Sequence, residues 1–264
     1  MAWEMYDELI EGIPEEVEVV DYGLGLNWSW LSAECGCGLA YTCREGAVKG
    51  GRRDLRGKPL RKAASLAKSW NFEDATLGIA ALNAWYSQAS RLDALSADGL
   101  ALTYAPEGAT HEERRIVDPF HLLRPVMEGW EATHDERASV VVVGHFPHVD
   151  ELAGFADLTI LERNCRNDSD TPDPACEYVL PDADFAFLTG VTIINKTAPR
   201  LLELGRSAFV SMVGPSVIPA VPLLDRGADM LAGRVVVDPE KAAFSCASRE
   251  SFGSSIRPFC LARP

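Results

Sequence analysis

Residues 184–216 read "DFAFLTGVTIINKTAPRLLELGRSAFVSMVGPS". Two short apolar runs, "FAFLT" and "FVSMV", each close on a glycine, Gly190 and Gly214. Between them lies "NKTAPRLLELGR", a helical segment that tolerates Pro199 in its first turn. A short continuous apolar strand, a helix and a second such strand make a parallel βαβ unit buried on both faces. The same alternation extends outward. Upstream come a strand in "SVVVVGHF", a helix in "HVDELAGFA", a strand in "LTILERN" and a short helix in "DPACEYVLP". Downstream come a helix in "PAVPLLDRGA" and a strand in "GRVVVD". Residues 131–264 are therefore expected to form an α/β domain with a mostly parallel, doubly wound sheet.

The first half is patterned differently. From Val17 to Arg44 the chain alternates and is rich in glycine and aromatic residues, which predicts an antiparallel hairpin or meander. A basic, glycine-rich loop follows, "REGAVKGGRRDLRGKP", and then helix formers at helical spacing. Asn71 or Asp74 can cap a second helix, with a buried stretch from Ala75 to Leu92. Trp3, Leu9 and Ile13 mark an acidic amphipathic helix at the start. Strands followed by helices give an α+β domain over residues 1–130. Residues 104–138, with Pro106, Pro119 and Pro125, form the connection, with a short helix near Leu122 to Trp130.

The 264 residues carry a formal net charge of −14. That balance argues against nucleic acid and against anionic membranes as partners, because both demand a positive footprint. No apolar run reaches the length of a membrane span. The opening "MAWEMYDELIEGI" has neither the basic nor the apolar region of a signal peptide, so a cytoplasmic protein with seven reduced cysteines is expected.

Ligands of open parallel sheets bind beyond the carboxyl ends of the strands. This selects residues 144–148, 162–177, 189–197 and 214–216. Gly144 stands alone, without the G-x-G-x-x-G of a dinucleotide site. Glu162 ends the second strand, where an acid either is solvated or holds a ribose hydroxyl. His145 and His148 flank a strand end and can ligate a metal, transfer a proton or serve a structural hydrogen bond. Asn195 or Thr197 can cap the following helix, which puts Lys196 at the positive end of a dipole that disfavours it. Lys196 either points into water or meets an anionic ligand. Cys165 and Cys176 lack the spacing of a closed zinc site.

"CGCGLAYTC", residues 35–43, places three cysteines together. As a strand it would put Cys37, Leu39, Tyr41 and Cys43 on one apolar face, with Cys37 and Cys43 roughly 20 Å apart. Cys43 is then a core residue. Cys35 and Cys37 are the only two close enough to share an ion.

The stretch "TPDPACEYVLPDADFAFLTGVTIINKTAPRLLELGRSAFVSMVGPSVIPAVPLLDRGADMLAGRVVVD", with "GCGLAYT" and "SWNFEDATLGIAALNA" upstream, closely resembles the putative heavy-metal chelation family. The resemblance implies an enolase N-terminal-like domain followed by a Rossmann-like domain, with a site between them. It implies ligand contacts from Gly144, His145, Glu162, Asp173, Pro174 and Glu177. Further contacts follow from Thr189, Gly190, Thr192, Asn195 and Lys196, and from Gly214, Pro215 and Ser216. Tyr41 and Asn83 would supply the N-terminal side. His145, Glu177, Cys35 and Cys37 are the candidate metal ligands, although the cysteine pair is not part of the resemblance.

Two functions stay open at this point. One is a binding protein for a transition-metal ion or a metal held by a small chelator. The other is an enzyme acting on a small anionic metabolite, or using a nucleotide-derived ligand such as S-adenosylmethionine. The organic ligand is not named by these residues, and a homo-oligomer is compatible with them.

Overall fold

In the computed structural model, residues 3–48 and 54–264 are described, so residues 49–53 of the basic loop lie outside the described residues. The N-terminal unit is a meander of β1 Val19–Leu24, β2 Trp28–Ala33 and β3 Gly36–Tyr41, antiparallel in the order β1-β2-β3. The helix Phe72–Tyr86 lies across it. Asn71 opens that helix as expected, its side-chain oxygen accepting from the Asp74 N–H at 3.0 Å. The helix is apolar almost all round because it is covered on every side, from Leu77, Ile79 and Ala80 to Asn83. Full burial of a side chain such as Ile79 or Leu82 contributes roughly 2 kcal/mol. Gly38 lets strand and helix touch: a Cβ there would stand 2.1 Å from the Ala80 oxygen and 2.2 Å from the Ala84 nitrogen.

The second sheet has eight strands: β4 Ala101–Tyr104, β5 Ser139–Val143, β6 Asp157–Glu162, β7 Asp170–Pro172, β8 Phe185–Thr189, β9 Phe209–Val213, β10 Met230–Val236 and β11 Ile256–Ala262. Their order is β4-β11-β10-β9-β8-β5-β6-β7. Strands β5 to β10 run parallel, and β11 is antiparallel to both β10 and β4. The mostly parallel α/β sheet is thus present, with an antiparallel margin. Leaving β5, the chain goes to β6 on one side and later to β8 on the other. The point where the order reverses is therefore between Gly144 and Thr189, and ligand crevices of such sheets form there.

Several details differ from expectation. The partition at residue 130 is crossed by β4, which pairs with β11 in the large sheet and not with the meander. One core cluster also runs through both units, from Leu9, Leu31 and Ile79 to Leu188, Ile193 and Leu231. The segment after β5 is a 3-10 turn, Val149–Gly154, and not an α-helix. The buried helical stretch from Ala75 to Leu92 is two helices, breaking after Tyr86 and resuming at Ala89–Ala97. Pro258 sits inside β11, where a missing N–H would leave a carbonyl unpaired. The Arg257 side chain replaces it, Nε donating to the Ala105 oxygen at 2.7 Å.

The expected single face of residues 37–43 is also corrected. Strand β3 ends at Tyr41, and Thr76 Oγ1 takes over the departing backbone, donating to the Tyr41 oxygen and accepting from the Cys43 N–H, both at 3.1 Å. Leu39 packs with Cys246 and Ile256, whereas Cys43 joins the main core, and Tyr41 is exposed. Gly38, Ala40 and Thr42 are buried too, because the helix covers that face. Among the described residues no helix is long and apolar enough to cross a membrane.

Candidate functional site

The meander unit sits against the loops at the carboxyl ends of the parallel strands, and hydrogen bonds fix it there. The buried Tyr6 hydroxyl donates to the Ile193 oxygen at 2.7 Å. The Tyr41 N–H donates to Ser216 Oγ at 2.8 Å. Asn83 Nδ2 donates to the Leu39 oxygen at 2.9 Å and to the Pro215 oxygen at 3.0 Å, and its Oδ1 accepts from Ser87 Oγ. Tyr41, Asn83, Pro215 and Ser216, all expected at the site, thus meet one another at the seam between the units. Thr192 is buried and donates to the Thr189 oxygen at 2.7 Å, which closes the turn after β8.

At the switch point Gly144 has φ 98°, and a Cβ there would meet Thr189 Cγ2 at 2.9 Å. Gly190 is equally tight against the Ser216–Val217 backbone, where a Cβ would lie 2.6 Å from the Val217 nitrogen. Gly214 has φ 113° and faces open space. Two glycines hold the loops together and the third leaves room beside them.

Lys196 is neither a simple surface residue nor a tenant of a capped helix. Its backbone is left-handed, φ 69°, which costs a non-glycine residue roughly 1 kcal/mol or more. The side chain is half-buried. Nζ donates to the Ile194 oxygen at 2.6 Å and lies 5.0 Å from the Phe72 ring centre and 5.9 Å from that of Trp70. Burial pulls the amine down from 10.5 to about 8, against a small opposing pull from Cys43. No carboxylate pairs with Lys196 among the described residues. Asn195 Oδ1 accepts from Thr197 N–H and Oγ1, so Asn195 organises the turn. Thr197 occupies the N-cap of the helix Ala198–Leu204 but makes no side-chain cap.

Around Lys196 stand Cys43, Trp70 and Phe72, which the strand-end rule does not reach, and Arg163, which lies inside the selected 162–177 loop but is not singled out by that rule. The Cys43 thiol, raised by burial, feels Glu45, Arg163 and Lys196. Arg163 bridges the units, with Nη1 3.6 Å from Glu45 and Nε 3.2 Å from Asp173. Trp70 and Phe72 carried no signal in sequence beyond being the aromatic residues that flank a helix cap, Asn71.

A second group forms where β5 and β6 end and β7 begins. His145 Nδ1 lies 3.7 Å from Asp170 Oδ1. The other Asp170 oxygen accepts from the Arg166 and Asn167 N–H groups at 2.7 and 2.9 Å. Those bonds hold the Asp170 carboxyl below its usual range. Glu162 is half-buried, and burial, then the nearby Asp170 charge, raise its carboxyl above the usual range. Asp170 lies inside the selected 162–177 segment but is not singled out in the sequence, because β7 is only three residues long and polar.

The expected metal ligands are not brought together. Glu177 is held by Arg200, 2.9 Å from Nε, and that partner lowers its carboxyl. Cys35 donates to the Ala84 oxygen on the helix side of the sheet. Cys37 points to the other side, toward Cys246, with its thiol pushed up to about 11 by burial. Cys165 is exposed and donates to the Glu162 oxygen, while Cys176 is half-buried. His148 is exposed beside Glu151 at 3.2 Å. Among the described residues, no three His, Cys, Asp or Glu side chains already form a metal-holding group.

This architecture, a small α+β unit seated on the strand ends of a mostly parallel α/β sheet, is shared with solved proteins. A crystal structure of a DUF364-family protein of unknown function from Desulfitobacterium hafniense superposes with TM-score 0.83 at 32% identity, covering 99% of each chain. One from Pyrococcus horikoshii has the same fold, with TM-score 0.76 at 19% identity over 99% of each chain. An uncharacterized protein of Methanocaldococcus jannaschii is 25% identical over 242 residues, 86% of this chain and 82% of that protein. DUF364, described as putative heavy-metal chelation, matches residues 124–255, and DUF4213, described in the same words, matches residues 6–86. The chain belongs to the DUF364 family.

Proposed function

We propose that the protein binds a small anionic ligand, a metal chelate in the first instance, in the cleft between the meander unit and the strand ends. Lys196 carries this reading. It is a half-buried ammonium held in a left-handed turn against two aromatic rings, and no acid neutralises it among the described residues. Such a group is stabilised by a ligand that brings the missing negative charge. A bare soft ion is the poorer fit. Soft metals select thiolates, yet burial raises the thiols of Cys35, Cys37, Cys43, Cys176, Cys246 and Cys260. A metal already wrapped in a carboxylate chelator needs only a counter-charge and room, which Lys196 and the open side of Gly214 supply. The contacts expected from Thr189, Gly190 and Asn195 belong to this reading, as do enolase N-terminal-like and Rossmann-like descriptions of the two units.

A second reading rests on Glu162 at the end of β6, next to the switch point at Gly144, where a ribose of a nucleotide-derived ligand such as S-adenosylmethionine would meet an acid. Native mass spectrometry with elemental analysis of protein purified without chelator separates the two. The first reading expects an added mass that contains metal. An added metal-free nucleoside mass supports the second. Titration with citrate and its Ni²⁺ and Fe³⁺ complexes should give binding that is lost in Lys196→Glu. Undiminished binding in that variant removes Lys196 from the site.

A further inference from the structure

Asp170 is a buried acid with one oxygen left over. Its side chain is 2% exposed, and Oδ1 has no hydrogen-bond partner among the described residues. A buried carboxylate oxygen without a donor is costly, and such an atom asks for a ligand. Asp170 is not free to turn away, because two backbone N–H groups fix its other oxygen. The fixed Oδ1 points toward His145 Nδ1 at 3.7 Å, too far for a hydrogen bond. Metal–nitrogen and metal–oxygen distances of about 2 Å would bring an ion lodged between them within reach of both.

The strand register supplies a third donor. Asp170 pairs with Ile160 in the parallel ladder, and Glu162 is two residues beyond Ile160. Asp170 and Glu162 therefore share one face of the sheet. The electrostatic influence of both Asp170 and His145 on Glu162 places the three in one neighbourhood. They do not form a closed ligand set as they stand. A shared site requires Glu162 to turn toward the other two.

We propose that His145, Asp170 and Glu162 form a divalent-cation site at the ends of β5 and β6 and the start of β7, selective for first-row ions such as Mn²⁺, Co²⁺ and Zn²⁺ and not for thiophilic heavy metals. One imidazole and two carboxylates are the donor set those ions accept, with water filling the remaining positions. No cysteine belongs to the set. The site is separate from Lys196 and does not need the anion-binding reading.

The test uses the full chain, stripped with EDTA and titrated with Co²⁺ and with Zn²⁺ by calorimetry, with the visible spectrum of the Co²⁺ form recorded. The expected result is one ion per chain, with ligand-field bands and no thiolate-to-cobalt charge transfer. Asp170→Asn and His145→Gln should each weaken binding at least tenfold. Lys196→Ala should leave it unchanged, so this site and the anion site can fail separately. His145 is partly exposed, which makes His145→Gln the informative variant if Asp170→Asn does not fold. Absence of saturable binding would overturn the proposal. So would a thiolate band, or wild-type affinity in His145→Gln.

Discussion

Replacing Lys196 by methionine keeps the stem and its contacts with Phe72 and Trp70 but removes the buried charge. The wild-type amine is lowered from 10.5 to about 8 by burial. If the whole displacement acted on folding, it would amount to about 3 kcal/mol. The side chain is partly open to solvent, so screening reduces this to roughly 1–1.5 kcal/mol. The direction is fixed by proton linkage. Below about pH 8 the folded protein carries the cost of a desolvated ammonium. Between pH 8 and 10.5 the folded amine is neutral while the unfolded one still binds a proton, so wild-type stability rises relative to the variant. Urea unfolding of both proteins at pH 7.5 and pH 10 gives the difference, and effects common to the two cancel. The wild type should gain on Lys196→Met by about 1 kcal/mol across that interval. Parallel pH profiles would refute a desolvated Lys196, and a relative loss by the wild type would mean that a hidden acid pairs with it.

Gly38→Ala should destabilise the meander unit by about 3 kcal/mol or more, since the new methyl meets helix backbone and not a yielding side chain; chemical denaturation measures it. Asn83→Ala strands the Leu39 and Pro215 carbonyls, and a loss of about 2–4 kcal/mol is expected in the same assay. In native protein, Cys165 should react first with a thiol reagent and Cys37 and Cys43 far more slowly, followed by mass spectrometry of the labelled peptides. Rapid labelling of Cys43 would contradict its place in the core.

The parts of the fold that could be read from sequence are those where one strand's burial is complete. "FAFLT" and "FVSMV" are apolar without alternation because both faces of β8 and β9 are covered, and their shortness and closing glycines set them apart from a buried helix. The margins hide for the opposite reason. Strand β7 is polar, and β4 is a four-residue edge with alternating exposure. Strand β11 contains a proline whose cost is removed by a neighbouring arginine, a remedy visible only in three dimensions. The site divides in the same way. Gly144, Glu162 and Lys196 follow from the strand-end rule alone. Cys43, Trp70 and Phe72 reach the cleft through packing between distant segments, which residue type does not encode, and within the selected loop nothing in the sequence separates Arg163 and Asp170 from their polar neighbours. Cys43 illustrates the limit: its burial was expected, but its neighbours at the cleft depended on where β3 stops.

The pairing of β4 with β11 has a consequence for how the polypeptide emerges from the ribosome. Ala101 lies opposite Ala262 and Tyr104 opposite Phe259. While the nascent chain is being extended, β4 has no strand to lie against until β11 has cleared the exit tunnel. The meander and its helix can consolidate early from near neighbours. The margin of the large sheet must wait, with an open strand edge of the kind that invites pairing between chains. Any stop codon that deletes β11 leaves that edge permanently bare, and a C-terminally shortened product is expected to collect in inclusion bodies even though the residues of the cleft are all present.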